Sequence, residues 1–213
     1  MKNSFYNELR RNKFRVAIFG SARIRKNDEI YKQIYEIGKV LGEKGIDVVT
    51  GGGPGLMNAA SAGHKAARKG NGSHAIGLNI KLPRRQIINA NINLKKEFGR
   101  FSRRLDNFML LSNAVVVAPG GLGTLLEFFY TLQLMQVEQI CNIPVILVGD
   151  MWKGLIEWLR KQPMKKKYFE EKDLNFIFIA KNTDEVLAII EKARESFKKG
   201  DKNFCFNYKK YKF

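Results

Sequence analysis

Short β-branched runs that alternate with segments of helical period constrain this chain more than any other feature. RVAIFG at 15–20, IDVVT at 46–50, SHAIGL at 73–78, AVVVAP at 114–119, PVILVG at 144–149 and FIFIA at 176–180 all have strand length and strand composition. Between the first two, Glu29–Glu43 carries Ile30, Ile34, Ile37 and Leu41 at helical spacing, and Gly45 stops it. Alanine-rich LMNAASAGHKAARK, Arg100–Leu111, Thr124 to about Gln139, and Trp152–Lys161 read as further helices. A last amphipathic helix opens at Thr183 with Asp184 and Glu185 in its first turn. Strands that alternate with helices, several of them apolar on both faces, predict a doubly wound α/β fold: a mostly parallel sheet with helices on both faces. Residues 79–98, with Pro83 and several asparagines, read as a long irregular connection, a kind that is usually functional in a compact domain. With neither internal repeat nor low-complexity linker, residues 1–200 are expected to form one domain, with 201–213 as a basic aromatic tail.

Composition narrows the function classes. No apolar run reaches bilayer-spanning length. MKNSFYNELRRNKFR has basic residues without an apolar stretch behind them, so no secretory signal and a cytoplasmic address are expected. Cys141 and Cys205 lack metal-ligand spacing and are expected as free thiols of a reducing compartment rather than a disulfide. The 213 residues carry a net charge of +18, which raises the odds of an anionic partner. The excess is spread over RRNKFR, RIRK, KKK and the tail, with no zinc pattern, basic heptad helix or RNA-binding aromatic signature beside it. Solvated surface and a field that draws in small anions is the favoured reading; nucleic-acid binding is the minority one.

Three strand ends carry unusual punctuation. They are FGSAR at 19–23, with Gly20 and Ser21; TGGGPGLM at 50–57, with Gly51, Gly52, Gly53, Gly55 and Met57; and PGGLGT at 119–124, with Pro119, Gly120, Gly121, Gly123 and Thr124. In open α/β sheets, ligands bind beyond the carboxyl ends of strands. Glycine there brings backbone N–H groups close to a ligand, and the helix start that follows adds unpaired donors and partial positive charge. Thr124 is expected to cap its helix and offer a hydroxyl. One such loop is often only a tight turn; two in one sheet point to a phosphate. G-x-x-x-x-G-K-[ST] is absent and TGGGPG lacks G-x-G-x-x-G spacing, which argues against a P-loop enzyme and a dinucleotide. His64 on the alanine-rich helix reads as packed or capping. His74 has no paired ligand, so no metal site is expected. G-x-S-x-G is missing, and Lys65 and Lys69 have no pyridoxal-phosphate context. Leu125, Phe128, Phe129, Leu132 and Met135 read as core or dimer interface.

GGGPGLM followed some 60 residues later by PGGLGTLLE resembles the Lonely Guy (LOG) proteins, long labelled lysine decarboxylases. Their PGGxGTxxE signature is met by Pro119, Gly120, Gly121, Gly123, Thr124 and Glu127, and the resemblance spans roughly 15–190. It implies a Rossmann-like fold, usually dimeric, without a cofactor. The implied activity is hydrolysis of the N-glycosidic bond of a nucleoside 5′-monophosphate, AMP or a cytokinin ribotide, to free base and ribose 5-phosphate. The family's catalytic Glu falls on Glu127 and its Arg on Arg104; Ser21 falls where the family touches the nucleotide.

Breaking a base–ribose bond builds positive charge on the sugar. A carboxylate near C1′ can stabilise that charge, hold the ribose hydroxyls or orient water. Arg104 can pair with the carboxylate, contact phosphate or assist the departing base, with Arg103 as an adjacent rival. The bland alternative for Glu127 is a first-turn acid that complements the helix dipole. Cytokinin-type proteins usually have Arg-Lys where this chain has Arg104-Leu105, Glu-Glu where it has Leu126-Glu127, and a first loop one residue longer. These departures leave phosphate binding in place and speak against cytokinin specificity. Competing readings are a nucleotide-binding or sensing protein without turnover and, less favoured, a nucleic-acid-associated protein.

Overall fold

A computed structural model describes residues 5, 12–70, 72–82 and 88–200. Among these residues seven strands form one sheet: β1 (Arg15–Phe19), β2 (Asp47–Thr50), β3 (Ala75–Ile80), β4 (Leu94–Phe98), β5 (Ala114–Val117), β6 (Val145–Val148) and β7 (Ile177–Ala180). Their order is β4-β3-β2-β1-β5-β6-β7 and every neighbouring pair is parallel. Among the described residues six α-helices cover it: α1 (Glu29–Glu43), α2 (Leu56–Ala67), α3 (Phe101–Leu111), α4 (Leu122–Gln136), α5 (Met151–Leu159) and α6 (Thr183–Lys199).

Alternation along the strands builds two cores. Ala17, Phe19, Val115, Val117, Val145 and Leu147 face α3, α4 and α5 through Phe108, Phe128 and Trp152. The intervening Val16, Ile18, Val116, Ile146 and Val148 face α1, α2 and α6 through Ile34, Ile37, Leu56 and Val186. A strand with both faces covered needs apolar residues throughout, which is why the central strands read as unbroken hydrophobic runs. The strand order reverses between β1 and β5, so the loops after those two strands meet at the switch point.

Three expectations are corrected. Residues 79–98 are not irregular throughout, because Leu94–Phe98 pairs in parallel with β3. This is a sheet edge with three charged residues among five, LKKEF, which hides the strand period from a hydrophobicity reading. The helix after the PGG loop begins at Leu122 rather than Thr124, because Gly121 is the N-cap residue, and Glu127 is therefore its sixth residue. Cys141 is disulfide-bonded rather than free. Cys205 and the 201–213 tail lie outside the described residues. Among the described residues no helix is long and apolar enough to cross a membrane.

Candidate active site

The three loops beyond the strand ends are tied together by main-chain bonds. Ser21 N–H donates to Pro119 O at 3.0 Å, across the switch point between β1 and β5. Ser21 O accepts from Leu56 N–H at 2.9 Å, which uses one free donor of the α2 start and fixes the first glycine loop to the same residue. Gly55, the N-cap of α2, has φ +65°, and a Cβ there would lie 2.3 Å from Ser21 O; this close approach needs glycine. Gly20 packs beneath, against Leu56 and Ala118.

Arg104 enters this assembly from α3. Its Nε donates to Leu78 O at 2.8 Å, and its guanidinium carbon lies 5.0 Å from the Phe108 ring centre. Nη2 reaches Glu127 Oε1 on α4 at 3.0 Å. The same nitrogen is 2.5 Å from where a Gly51 Cβ would stand, with Met57 Sδ 2.7 Å away. Gly51 is thus glycine because the arginine passes through its side-chain space. Arg103, by contrast, is exposed, so the choice between the two arginines falls to Arg104.

Glu127 is buried despite its position near a helix start. Burial pushes its carboxyl up to about 7, against the opposing pull of the Arg104 charge and hydrogen bond. A carboxyl at that value titrates near neutrality, as groups that carry charge or protons in reactions commonly do. The dipole-complementing alternative needs an acid in the first turn, whereas Glu127 is the sixth residue of its helix and faces Arg104.

The PGG loop is the open part of the site. Gly121, Leu122 and Gly123 are exposed, and a Cβ on either glycine would meet nothing within 4 Å. Thr124 is buried and makes no cap hydrogen bond; its hydroxyl and methyl fill the space over Gly120, where a Cβ would lie 2.1 Å from Oγ1. Helix initiation at Leu122 takes the cap position away from it. Of the residues read from sequence, Arg104 pairs with Glu127 and lies with Met57 against Gly51, and Gly20, Ser21, Gly55 and Pro119 form the tie between loops. Gly121 and Gly123 only border the opening.

Two functional supports were not singled out from sequence. Asn79 Nδ2 donates to Gly51 O at 3.1 Å, and Asn89 holds Gly52 and Gly53. The abundance of asparagine in 79–98 was the only signal for them. His64, fully buried, donates from Nε2 to Ile46 O at 3.0 Å, and burial lowers its pKa to about 4. It belongs to the packing beneath α2. Leu105 is buried in the core, whereas Leu126 is exposed beside the opening.

Fold and site together define a Rossmann-like α/β protein whose ligand-side loops converge on a buried arginine–glutamate pair. A family model described as "Possible lysine decarboxylase" matches residues 57–190, and the chain belongs to that family, the LOG family. It is 28% identical over 147 residues to the pyrimidine/purine nucleotide 5′-monophosphate nucleosidase of Escherichia coli (strain K12), covering 63% of this chain and 30% of that protein. It is 32% identical over 152 residues to a "Probable cytokinin riboside 5′-monophosphate phosphoribohydrolase" of Oryza sativa subsp. japonica, covering 69% of this chain and 59% of that protein. The match therefore spans less than two thirds of either relative. Among solved structures, the molybdenum cofactor binding protein of Rippkaea orientalis aligns at TM-score 0.62 and 21% identity, over 84% of this chain and 96% of that one. The molybdenum cofactor carrier protein of Chlamydomonas reinhardtii aligns at 0.60 and 24%, over 86% and 99%. These last two likenesses concern the fold.

Proposed function

We propose that this protein is a nucleoside 5′-monophosphate phosphoribohydrolase, releasing free base and ribose 5-phosphate. The observation that carries the reading is the Glu127 carboxyl, buried, held 3.0 Å from Arg104 and raised to about 7, at the foot of two glycine loops. The loops supply backbone donors for the phosphate. Ionised Glu127 stabilises positive charge on the ribose as the base departs, or orients the water that attacks C1′. Arg104 keeps the carboxylate in place. The names of the E. coli and rice relatives point to the same reaction class.

AMP is the first substrate to test, with free adenine and ribose 5-phosphate as products. Release of base from no nucleoside monophosphate by folded protein would refute the proposal. A second reading, nucleotide binding without turnover, draws on the same ion pair, since a carboxylate already committed to Arg104 can also serve only to shape the site. Unchanged nucleotide affinity in Glu127→Ala, with no hydrolysis by wild type, would favour it.

The functional unit is proposed to be a homodimer. Leu122, Leu126 and Phe129 are exposed on α4, the helix whose inner side carries Glu127. Leu126 and Phe129 open onto an apolar groove of about 490 Å³ that Leu132 and Leu159 also line. A second copy would cover it, and light scattering measures that directly.

A further inference from the structure

Three consecutive carbonyls of the first glycine loop are held by two asparagines. Asn79 Nδ2 donates to Gly51 O at 3.1 Å, Asn89 N–H to Gly52 O at 2.9 Å, and Asn89 Nδ2 to Gly53 O at 2.9 Å. In a trans peptide the C=O and the next N–H point in opposite directions, so fixing each carbonyl also aims the N–H that follows it. Gly52 N–H donates to Thr50 Oγ1 at 3.1 Å, and residue 54 is proline, which has none. The remaining group is Gly53 N–H, which has no acceptor among the described residues although Gly53 is buried. A buried main-chain donor without an acceptor is uncommon in folded proteins.

Asn89 is itself fixed. Its Oδ1 accepts from Asn91 N–H at 3.2 Å; Asn91 Nδ2 donates to Asn58 Oδ1 at 3.0 Å; and Asn58 Nδ2 donates to Tyr31 OH at 2.9 Å. An amide relay therefore runs from α1 through α2 to the loop. The two peptide planes that flank Gly53 are both gripped by Asn89, one through its backbone and one through its side chain.

We propose that Asn89 is a positioning residue that aims Gly53 N–H at a phosphoryl oxygen of the nucleotide. This rests on the reading that the loop holds a 5′-monophosphate. One residue then holds the donor's own peptide plane through its main chain and the following plane through its side chain, without touching the ligand. Loss of that side chain frees the Gly53–Pro54 plane and uncouples Asn89 from Asn91, so the main-chain grip on the donor's plane loosens and phosphate binding weakens, while the Arg104–Glu127 pair and the chemical step stay in place.

Steady-state kinetics with AMP tests this. Asn89→Ala is expected to raise KM about tenfold, the size of one hydrogen bond to a charged group, with kcat changed less than twofold. Asn93→Ala is the control: Asn93 Oδ1 accepts from Ala75 N–H at 2.7 Å at the other end of β3, away from the loop, and KM should stay at the wild-type value. An NMR titration of the wild-type protein with ribose 5-phosphate gives a readout that needs no variant to fold. The Gly53 amide proton is expected to move downfield on binding. Turnover of AMP with an unchanged KM in Asn89→Ala, or a Gly53 amide unmoved at saturation, overturns the positioning role alone. A wild-type protein that binds neither AMP nor ribose 5-phosphate overturns the underlying reading as well.

Discussion

Two buried arginine–carboxylate pairs sit at opposite ends of this sheet, and they are built differently. At the amino end, Asp47 receives Arg15 Nε at 3.2 Å and His74 N–H at 2.8 Å, with Lys13 Nζ at 3.9 Å. Burial pushes its pKa up, but His74, Arg15 and Lys13 together outweigh this and hold it below its ordinary value. Beyond the carboxyl end, Glu127 has Arg104 as its one side-chain partner among the described residues. There burial wins, and the carboxyl is carried up to about 7. Both acids are buried and both face an arginine; the number of donors decides the outcome. A fully satisfied carboxylate is a clamp between strands, whereas an undersatisfied one is left able to respond to a ligand.

The comparison can be broken most sharply at Glu127. Glu127→Gln keeps the shape and the contact to Arg104 but removes the charge, and kcat for AMP should fall about 10²–10³-fold while the variant stays folded. A kcat within a few-fold of wild type would make Glu127 a second Asp47. The converse substitution, Asp47→Ala, strands Arg15 and Lys13 without their shared partner. Urea denaturation should show a loss of about 3 kcal/mol, while the folded fraction keeps its KM.

The smallest effect, and the one that sharpens the contrast, is the pH dependence of stability. Glu127 holds its proton more tightly folded than unfolded. Its contribution is therefore complete below the ordinary value of 4.5 and is lost as pH rises through about 7. Asp47 has the opposite sign: its contribution is present above 3.8 and is lost as pH falls through its lowered value. Between pH 5 and pH 8, wild type should lose about 1–3 kcal/mol relative to Glu127→Gln. Equal pH slopes for the two proteins would mean that Glu127 is ionised throughout.

Much of this architecture is legible in the sequence, because its signals are local. A central strand covered on both sides must be apolar throughout, so β1, β5 and β6 announce themselves, and glycine punctuation marks the loops that follow β2 and β5. β4 is not legible, since an edge strand of alternating burial with two lysines and a glutamate resembles a loop in composition. Within the site, the motif locates Glu127, but nothing in RFSRR separates Arg104 from Arg103. That choice is made by the helix phase, which turns Arg104 toward Leu78 O. Asn79 and Asn89 escape for a different reason. An amide that bonds a carbonyl 28 or 36 residues away leaves no periodic trace.

The tie at Ser21 has a consequence for how such a protein tolerates change. Both bonds that join the loops there, to Pro119 O and from Leu56 N–H, belong to the backbone. Swapping the side chain leaves these two standing and removes only the bond in which Ser21 Oγ accepts from Arg23 N–H at 3.1 Å. Shortening or lengthening the turn by one residue would instead pull both glycine loops out of alignment at once. The constraint on the tie itself is chain length, and an indel would expose it.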